Sequence, residues 1–309
     1  MSSFAPALLP LALMFAGPAQ DVVPPPVDPD APTIALAEVE ARMTVPVQVA
    51  GAGPYRFIID TGAERTVIAR ELAATLRLPA GPMVNVTAMS GTSRVATADI
   101  ARIAIAGMPE IGRIIAPALE QTHLGAQGLL GIDTLRAHRV VIDFEHDTMA
   151  VTPSMRRSRL DRAEPGEIVV RAKSLLGQLI VTDARFGDKA IRVVLDTGSP
   201  VTVGNGALQR LVARQTGRLR PLELTSATGG KVQAQYAQVD KVKVGGVEFV
   251  GLPIAFSDVP PFRRFGLDKR PAMLLGMDAL KFFRRVQIDF PNREVRFLMP
   301  RPEKMRRGG

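Results

Sequence analysis

Two aspartates occupy the same kind of position in this 309-residue chain. Asp60 follows the apolar run FII at 57–59, and Asp196 follows the apolar run VVL at 193–195. A run of consecutive apolar residues is typical of a buried strand. Both aspartates are followed by Thr-Gly, and glycine allows a sharp turn at the end of a strand. The sequence therefore predicts two carboxylates that are presented at the ends of two buried strands.

Two carboxylates held side by side can act as a general acid–base pair. They cannot both ionise without a large electrostatic cost, so the pair keeps one proton and titrates as a unit. The ionised member can take a proton from a water molecule, while the protonated member donates to the carbonyl oxygen that this water attacks. A single Asp-Thr-Gly is more simply a turn in which aspartate bonds its own backbone. Two copies in matching contexts instead favour hydrolysis by Asp60 and Asp196, with no cofactor and no metal.

The surroundings of the two triplets repeat as well. An LLG element at 129–131 has a counterpart at 274–276, and the strand-like VIDF at 141–144 has a counterpart, QIDF, at 287–290. These landmarks occur in the same order with nearly constant spacing. Two copies are too few for a solenoid. The sequence therefore predicts two related lobes that face each other across a pseudo-two-fold axis.

The elements around the aspartates are expected to be mainly strands. Runs of Val, Ile and Thr broken by Gly and Pro favour strands and turns over long helices, so the expected fold class is all-β with few short helices. After each aspartate the pattern predicts one helical stretch, at 70–78 and 207–214, and then a hairpin. The predicted limits are 20–36 for a Pro-rich linker, 37–151 for lobe 1, 152–167 for an interlobe linker, 168–299 for lobe 2 and 300–309 for a basic tail.

The composition excludes several other kinds of site. The chain contains no cysteine, which rules out disulfides, thiol nucleophiles and thiolate metal sites. The three histidines, His123, His138 and His146, lack metal-site spacing, so we expect loop or surface roles for them. Asp133 and Asp278 also match in the repeat. Each precedes a helix-like stretch, so we expect each to be a helix N-cap.

The chain is basic, with a formal net charge of +9. Such a charge could attract nucleic acid or anionic lipid. The basic residues cluster at 155–159, 262–264 and 305–307. No aromatic residues alternate with them to stack on bases. We therefore expect a solvated basic surface and no nucleic-acid partner.

The first residues predict export. Residues 5–15 (APALLPLALMF) form an apolar run of signal-peptide length that is too short to span a bilayer. Small residues at 17–19 provide a cleavage site after Ala19. We therefore expect a signal peptide at 1–19, a periplasmic or secreted protein, and no stable membrane insertion.

The segment DTGAERTVI at 60–68 resembles the active-site segment of the retropepsin-like aspartic peptidases. The two LLG elements resemble that family's later apolar-apolar-Gly element, which crosses beneath the catalytic turn. The resemblance covers most of residues 37–298, twice over. It implies the two-lobed aspartic-protease (acid protease) barrel fold, with both halves of the retropepsin dimer fused in one chain. It also implies a monomer with an intramolecular pseudo-dimer that hydrolyses protein or peptide substrates, similar to bacterial retropepsin-like proteins with export signals.

The resemblance also implies roles for individual residues. Asp60 and Asp196 would be the catalytic dyad, and Thr61 and Thr197 would brace the lobes through their hydroxyls. The residues lining the two turns would be Gly62, Ala63, Gly198 and Ser199. Two hairpins would be flaps that close over a bound peptide, with candidate tip residues Ser90, Gly91 and Thr92 in the first unit and Thr228, Gly229 and Gly230 in the second.

One departure from the family pattern concerns the grip on the substrate backbone. Retropepsins usually have a gripping carboxylate at the positions that Glu64 and Pro200 occupy here. Since proline has no carboxylate, the resemblance does not imply a symmetric substrate grip.

Two other functions fit part of the pattern. A non-catalytic peptide-binding or scaffold protein could use the same fold, because a fold does not determine chemistry. The presence of both aspartates argues against it. Actin-like phosphotransferases also have two related halves with an aspartate turn after a buried strand, but the sequence shows none of their nucleotide-binding glycine loops.

Overall fold

The computed structural model describes residues 33–35, 37–39, 42–106, 108–154, 163–216 and 218–301. The predicted signal peptide at 1–19 lies outside the described residues, as does most of the Pro-rich linker. The basic clusters at 155–159 and 305–307 lie outside them too. Residues 33–35, inside the range predicted as a linker, form a strand of a sheet.

Lobe 1 is built from short strands that alternate with turns and very short helices. Its strands are β1 (Thr33–Ala35), β2 (Ala37–Val39), β3 (Arg42–Val49), β4 (Ala52–Ile59), β5 (Val67–Ala69), β6 (Ala80–Ala88), β7 (Gly91–Ile100), β8 (Ile103–Ile105), β9 (Ile114–Leu119), β10 (Gly128–Leu130), β11 (His138–Asp143) and β12 (Thr148–Pro153). Its helices are α1 (Arg70–Thr75), α2 (Gln121–Leu124) and α3 (Ile132–Leu135).

Lobe 2 repeats this composition. Its strands are β13 (Glu167–Leu175), β14 (Gln178–Phe186), β15 (Lys189–Leu195), β16 (Val203–Gly204), β17 (Arg220–Thr225), β18 (Lys231–Val239), β19 (Val242–Val244), β20 (Val247–Phe249), β21 (Leu252–Phe256), β22 (Ala272–Leu275), β23 (Arg285–Asp289) and β24 (Glu294–Leu298). Its helices are α4 (Gly206–Val212), α5 (Pro260–Arg264) and α6 (Met277–Leu280). In the described part of the chain, no helix has the length and apolar character needed to cross a membrane.

The strand order shows that the repeat extends through the whole of each lobe. The order in lobe 1 is β2-β3-β4-β10-β5-β9-β7-β6, and the order in lobe 2 is β13-β14-β15-β22-β16-β21-β18-β17. Each strand of one list corresponds to the strand at the same place in the other. The predicted all-β, two-lobed fold with few short helices is therefore confirmed, although no closed barrel is formed by the described strands.

The strands that lead to the two aspartates lie in the core. Residues 57–59 at the end of β4 and 193–195 at the end of β15 are at most 1% exposed. Burial of one such aliphatic or aromatic side chain contributes about 1.5–3 kcal/mol to folding. The LLG strand β10 pairs in parallel with β4, and β22 pairs in parallel with β15. Each aspartate therefore follows a strand that is fixed on both edges.

A sheet joins the two lobes at their base. Its order is β1-β12-β11-β23-β24-β13, and the antiparallel pair β11–β23 links lobe 1 to lobe 2. The carboxylate of Asp289 on β23 accepts hydrogen bonds from Arg139 Nε (3.1 Å) on β11 and from Ser154 Oγ (2.7 Å). This sheet fixes the orientation of the lobes, which determines where their two turns meet.

Candidate active site

The backbone at each aspartate is tied to the LLG strand beside it. Asp60 N donates to Leu130 O and Asp196 N donates to Leu275 O, both at 3.0 Å. These bonds extend the parallel pairing by one residue beyond β4 and β15. The aspartates therefore sit at fixed positions at the ends of buried strands.

Each turn also holds one oxygen of its own carboxylate. Asp60 Oδ1 accepts from the amides of Gly62 (2.8 Å) and Ala63 (2.9 Å). Asp196 Oδ1 accepts from the amides of Gly198 and Ser199, both at 3.1 Å. Because one oxygen is held in this way, the second oxygen of each carboxylate has a defined direction.

The two turns are joined by their threonines. Thr61 Oγ1 donates to Leu195 O (2.9 Å), and Thr197 Oγ1 donates to Ile59 O (2.7 Å). Each hydroxyl also accepts from the backbone amide of the other threonine, at 3.1 and 3.2 Å. All of these bonds are buried and cross between lobes. They lock the two turns against each other without using either carboxylate.

The glycine of each turn packs directly on the carboxylate of the opposite lobe. A Cβ atom added to Gly62 would lie 2.7 Å from Asp196 Oδ1, and one added to Gly198 would lie still closer to the carboxyl group of Asp60. Any side chain at these positions would therefore push the aspartates away. Glycine is required here because of this close approach.

The two carboxyl groups are in direct contact and share a hydrogen bond. Asp196 is only 7% exposed, whereas Asp60 is half-buried. Burial and, to a lesser extent, the negative charge of Asp60 raise the pKa of Asp196 from 3.8 to about 8. The pair therefore keeps one proton at neutral pH, and burial favours Asp196 as the carboxyl that holds it.

Asp133 and Asp278 support the turns rather than cap helices, so the N-cap prediction is wrong. Helices α3 and α6 begin one residue before these aspartates, and their N-caps are glycines. Asp133 Oδ1 accepts from Thr66 N and Thr66 Oγ1, both at 2.8 Å. Asp278 accepts from Thr202 N through Oδ2 (2.9 Å) and from Thr202 Oγ1 through Oδ1 (2.7 Å), and its Oδ1 also accepts from Ala279 N (2.8 Å). Each carboxylate thus ties the chain leaving the Asp-Thr-Gly turn to the helix after the LLG element.

Two hairpins reach over the aspartates and meet at their tips. We call the hairpin of β6 and β7 the first flap, and the hairpin of β17 and β18 the second flap. Ser90 Oγ in the first turn lies 3.2 Å from Thr228 Oγ1 in the second. Gly229 has φ +83°, a conformation that favours glycine, and Gly230 packs on the Ser90 side chain. The other two candidate tip residues, Gly91 and Thr92, begin strand β7.

A cavity of about 480 Å³ lies between the flaps and the two aspartates. Both carboxyl groups line it, as do turn residues from both lobes. Its walls are largely apolar and include Leu119, Leu129, Val201, Phe265 and Leu274. An apolar cleft with a few convergent polar groups is the usual form of a ligand-binding site.

Three residues at this site were missed by the sequence analysis. His123 was expected to have a loop or surface role, yet it lies on α2, lines the cavity and packs against Gly229 of the second flap. Gln178 is fully buried and its Nε2 donates to Gly62 O at 3.1 Å, while its Oε1 has no hydrogen-bond partner among the described residues. Arg264 belongs to a basic cluster that was expected to be solvated; it is exposed, and it also pairs with Glu64, which was not predicted.

All three contacts join segments that are far apart in sequence. Gln178 and Gly62 are 116 residues apart, and Arg264 and Glu64 are 200 apart. No local pattern signals such pairs, so only the folded structure could reveal them. Within the residues that the structure describes, no group of three or more metal-binding side chains is placed to hold a metal ion.

Comparison with protein-family models matches each lobe separately. Residues 45–137 match the family described as "gag-polyprotein putative aspartyl protease". Residues 182–279 match the family described as "Aspartyl protease". A search of curated proteins gave no match to the chain. The two matched ranges contain the two Asp-Thr-Gly turns, one in each.

Proposed function

Because the chain belongs to the aspartyl protease family, with two retropepsin-like domains in tandem, we propose that it is an aspartic endopeptidase. Its catalytic residues in this proposal are Asp60 and Asp196. One observation carries the proposal: two carboxyl groups from different lobes share a hydrogen bond at the floor of a cavity covered by two flaps. This arrangement supports an acid and a base that act on the same bound water molecule.

The unequal burial of the aspartates supports different roles in the first step. Asp60 is the ionised base, which takes a proton from the water molecule as its oxygen attacks the peptide carbonyl carbon. Asp196 is the protonated acid, which donates its proton to the carbonyl oxygen. The product of this step is a tetrahedral diol; Asp60 now carries the proton taken from water, and Asp196, which gave its proton to the carbonyl oxygen, is ionised.

The second step reverses the direction of proton transfer. Asp60 donates its proton to the nitrogen of the scissile bond, and Asp196 takes the proton of one diol hydroxyl. The C–N bond breaks, and a carboxylic acid and an amine are released. The dyad is then back in its starting state, so no covalent intermediate is formed with the protein.

The remaining parts of the site position the reactants. The threonine bonds hold the two turns in register, which supports a short and constant distance between the carboxyls. The flap tips meet over the cavity, and electrostatic interactions are stronger where a site is shielded from water. The flaps must separate before an extended peptide can enter.

The alternative is a non-catalytic peptide-binding protein on the same fold. It would use the same cavity and flaps, so the geometry of these parts does not distinguish the two functions. The raised pKa of Asp196 favours catalysis, since a binding groove has no need of a carboxyl that keeps its proton at neutral pH.

The test is a peptide-cleavage profile of the purified protein across a range of pH. The wild type is compared with Asp60→Asn and Asp196→Asn, which keep the size of the side chain. We expect each substitution to reduce kcat by at least about 100-fold, because general acid–base catalysis contributes 10²–10⁴-fold. A wild type that binds peptides but cleaves none at any pH would favour the binding protein.

We also propose that the protein is exported and acts as a monomer. The apolar run at 5–15 supports cleavage by signal peptidase after Ala19, which N-terminal sequencing of the periplasmic or secreted protein would test. One chain supplies both aspartates, so a second copy is not needed to complete the dyad. The lobe limits 37–151 and 168–299 are part of the same proposal.

A further inference from the structure

One end of the substrate cleft is bridged by an ion pair between the lobes. Arg264, the last residue of α5 in lobe 2, donates through Nε and Nη2 to the two carboxylate oxygens of Glu64 in lobe 1. The Nη2–Oε2 distance is 2.6 Å. Glu64 comes two residues after Gly62 in the catalytic turn. The guanidinium of Arg264 is therefore held beside the turn that carries Asp60.

The ion pair lines a second cavity, of about 350 Å³, that continues from the one above the aspartates. Both cavities share Gly62, Ala63, Val86 and Thr87 in their walls, together with Phe265. The second cavity thus lies along the cleft, between the turn of lobe 1, the first flap and α5. A peptide bound across the dyad would place a neighbouring residue there.

This feature exists on one side of the pseudo-two-fold axis only. The position that corresponds to Glu64 is Pro200, which has no charged side chain. The helix that corresponds to α5 is α2, where His123 packs on the second flap instead. The two halves of the cleft therefore differ in charge although their strands match.

The charges of the second cavity favour an anion. The residues that line it include two arginines, Arg65 and Arg264, and one acid, Glu64, so their formal charges sum to +1. A guanidinium has five N–H donors. Glu64 uses one N–H of Nε and one of Nη2, which leaves the Nη1 group and the other N–H of Nη2 for a second carboxylate. Both arginines are exposed to solvent, so a ligand can reach them.

We propose that Arg264 forms a specificity-determining subsite that binds a carboxylate of the substrate peptide, beside the scissile bond on the lobe 1 side. This inference rests on the proposed peptidase function and adds a substrate class to it. Glu64 holds the guanidinium in place, so little side-chain entropy is lost when the substrate binds. The carboxylate is either an acidic side chain or the C-terminus of the peptide.

The test uses pairs of peptides that differ at one position only. One peptide of each pair has Glu at that position and the other has Gln. The position is moved stepwise along both sides of the cleavage site, and all of these peptides are amidated. We expect kcat/KM to be about tenfold higher for Glu than for Gln at one position, as for one charge-assisted hydrogen bond. In Arg264→Gln this ratio falls to about one, and Arg264→Lys retains part of it.

Arg263→Gln is the matched control, since Arg263 is exposed on the same helix but does not line the cavity. We expect it to keep the wild-type ratio. The ratio in the wild type should also fall when salt is added, because exposed charges are screened. That measurement needs no variant and stands even if Arg264→Gln does not fold. Equal cleavage of the Glu and Gln peptides at every position, in low salt, would show that the subsite does not bind an acidic side chain of the substrate.

A second arm tests the C-terminal carboxylate. Peptides that end progressively closer to the cleavage site are compared as free acids and as amides. A preference for the free acid at one length, lost in Arg264→Gln, supports this source of the carboxylate. The absence of any preference in both arms overturns the subsite.

The design separates failure of the subsite from failure of the proposed function. Cleavage without any carboxylate preference would leave the peptidase function intact and overturn the subsite. If the wild type cleaves nothing, binding of the same fluorescent peptides is measured instead. Tighter binding of the Glu peptide that Arg264→Gln abolishes would then support the subsite while the peptidase function fails.

Discussion

The two Asp-Thr-Gly turns make the same bonds but lie in different surroundings. In each turn two amides hold one carboxylate oxygen, and the threonine hydroxyl reaches a carbonyl of the opposite lobe. Yet Asp196 is only 7% exposed while Asp60 is half-buried. The shared bonds bring the carboxyls together, and the unequal burial decides which of them keeps the proton.

The turns also differ in what holds them from outside. Besides the threonine bonds, lobe 2 contacts the turn of lobe 1 through Gln178 to Gly62 O and through Arg264 to Glu64. In the turn of lobe 2, Ser199 Oγ donates to Val201 O of the same segment at 2.7 Å. A duplicated unit can therefore keep its pairing geometry while each copy acquires its own role at the cleft.

The largest expected effect comes from filling the space at the turn glycines. Gly198→Ala and Gly62→Ala each place a methyl group against the carboxyl of the opposite lobe. We expect kcat to fall by at least about 100-fold, since a displacement of about 1 Å at a catalytic group has this effect. Gly198→Ala should be the more severe, because the approach to Asp60 is closer.

Gly112→Ala is the control for these variants. An added Cβ at Gly112 meets no atom within 4 Å, so activity should stay at the wild-type level. Steady-state kinetics on one peptide substrate measures all three variants. Full activity of Gly198→Ala would contradict the close packing on Asp60.

The next effect concerns pH and separates the two aspartates. Asp196 has a folded pKa above its unfolded value of 3.8. The folded state therefore binds more protons than the unfolded state between 3.8 and about 8, and the free energy of unfolding decreases as pH rises through this window. Activity should also fall as pH rises through the upper limit, because the protonated acid is lost.

Urea unfolding of the wild type at about pH 5 and about pH 7.5 measures this decrease. Asp196→Asn should largely remove this decrease in the free energy of unfolding. Asp60→Asn should only reduce it, because burial is the larger cause of the raised pKa and remains. If the free energy of unfolding changed by the same amount between these two pH values in both variants, the assignment of the proton to Asp196 would be contradicted.

The smallest effect concerns the contact between Gln178 and the turn of lobe 1. Gln178→Leu removes the bond to Gly62 O but also removes the buried Oε1, for which the described part of the chain provides no hydrogen-bond partner. Loss of the bond and relief of the unpaired acceptor oppose each other, so the free energy of unfolding should change by less than about 1 kcal/mol. We expect kcat to fall a few-fold with KM unchanged, because the turn that holds Asp60 loses one support.

Gln178→Glu is the comparison variant. It places a carboxylate opposite a carbonyl oxygen, so it should reduce kcat and stability more than Gln178→Leu. A change in KM alone would show that Gln178 affects substrate binding and does not position the turn.

Local patterns predicted much of the fold. Apolar runs before Asp60 and Asp196 predicted buried strands, and matching landmarks predicted two lobes with the same order of elements. The resemblance of residues 60–68 to the retropepsin segment added the family, which the matches of both lobes bear out. These predictions succeeded because each landmark is a short local pattern, which the sequence shows twice in the same order.

The errors concern residues whose partners are distant in sequence. Asp133 and Asp278 were expected to cap the helices that follow them, but their carboxylates bind Thr66 and Thr202, which precede them by 67 and 76 residues. Arg264 is exposed, as was expected of its basic cluster, but its pairing with Glu64 of the other lobe was not predicted. Side-chain type alone did not distinguish a local from a long-range hydrogen bond in these cases.

The sequence by itself determined that two aspartates end two equivalent buried strands, since apolar periodicity and glycine turns act over a few residues. Only the tertiary structure decided that Asp196 is the more deeply buried carboxyl and that Arg264 lies beside the turn of lobe 1. Burial and ion pairing depend on which segments the interlobe sheet brings together. Those contacts are set by packing between the lobes, which no short stretch of sequence encodes.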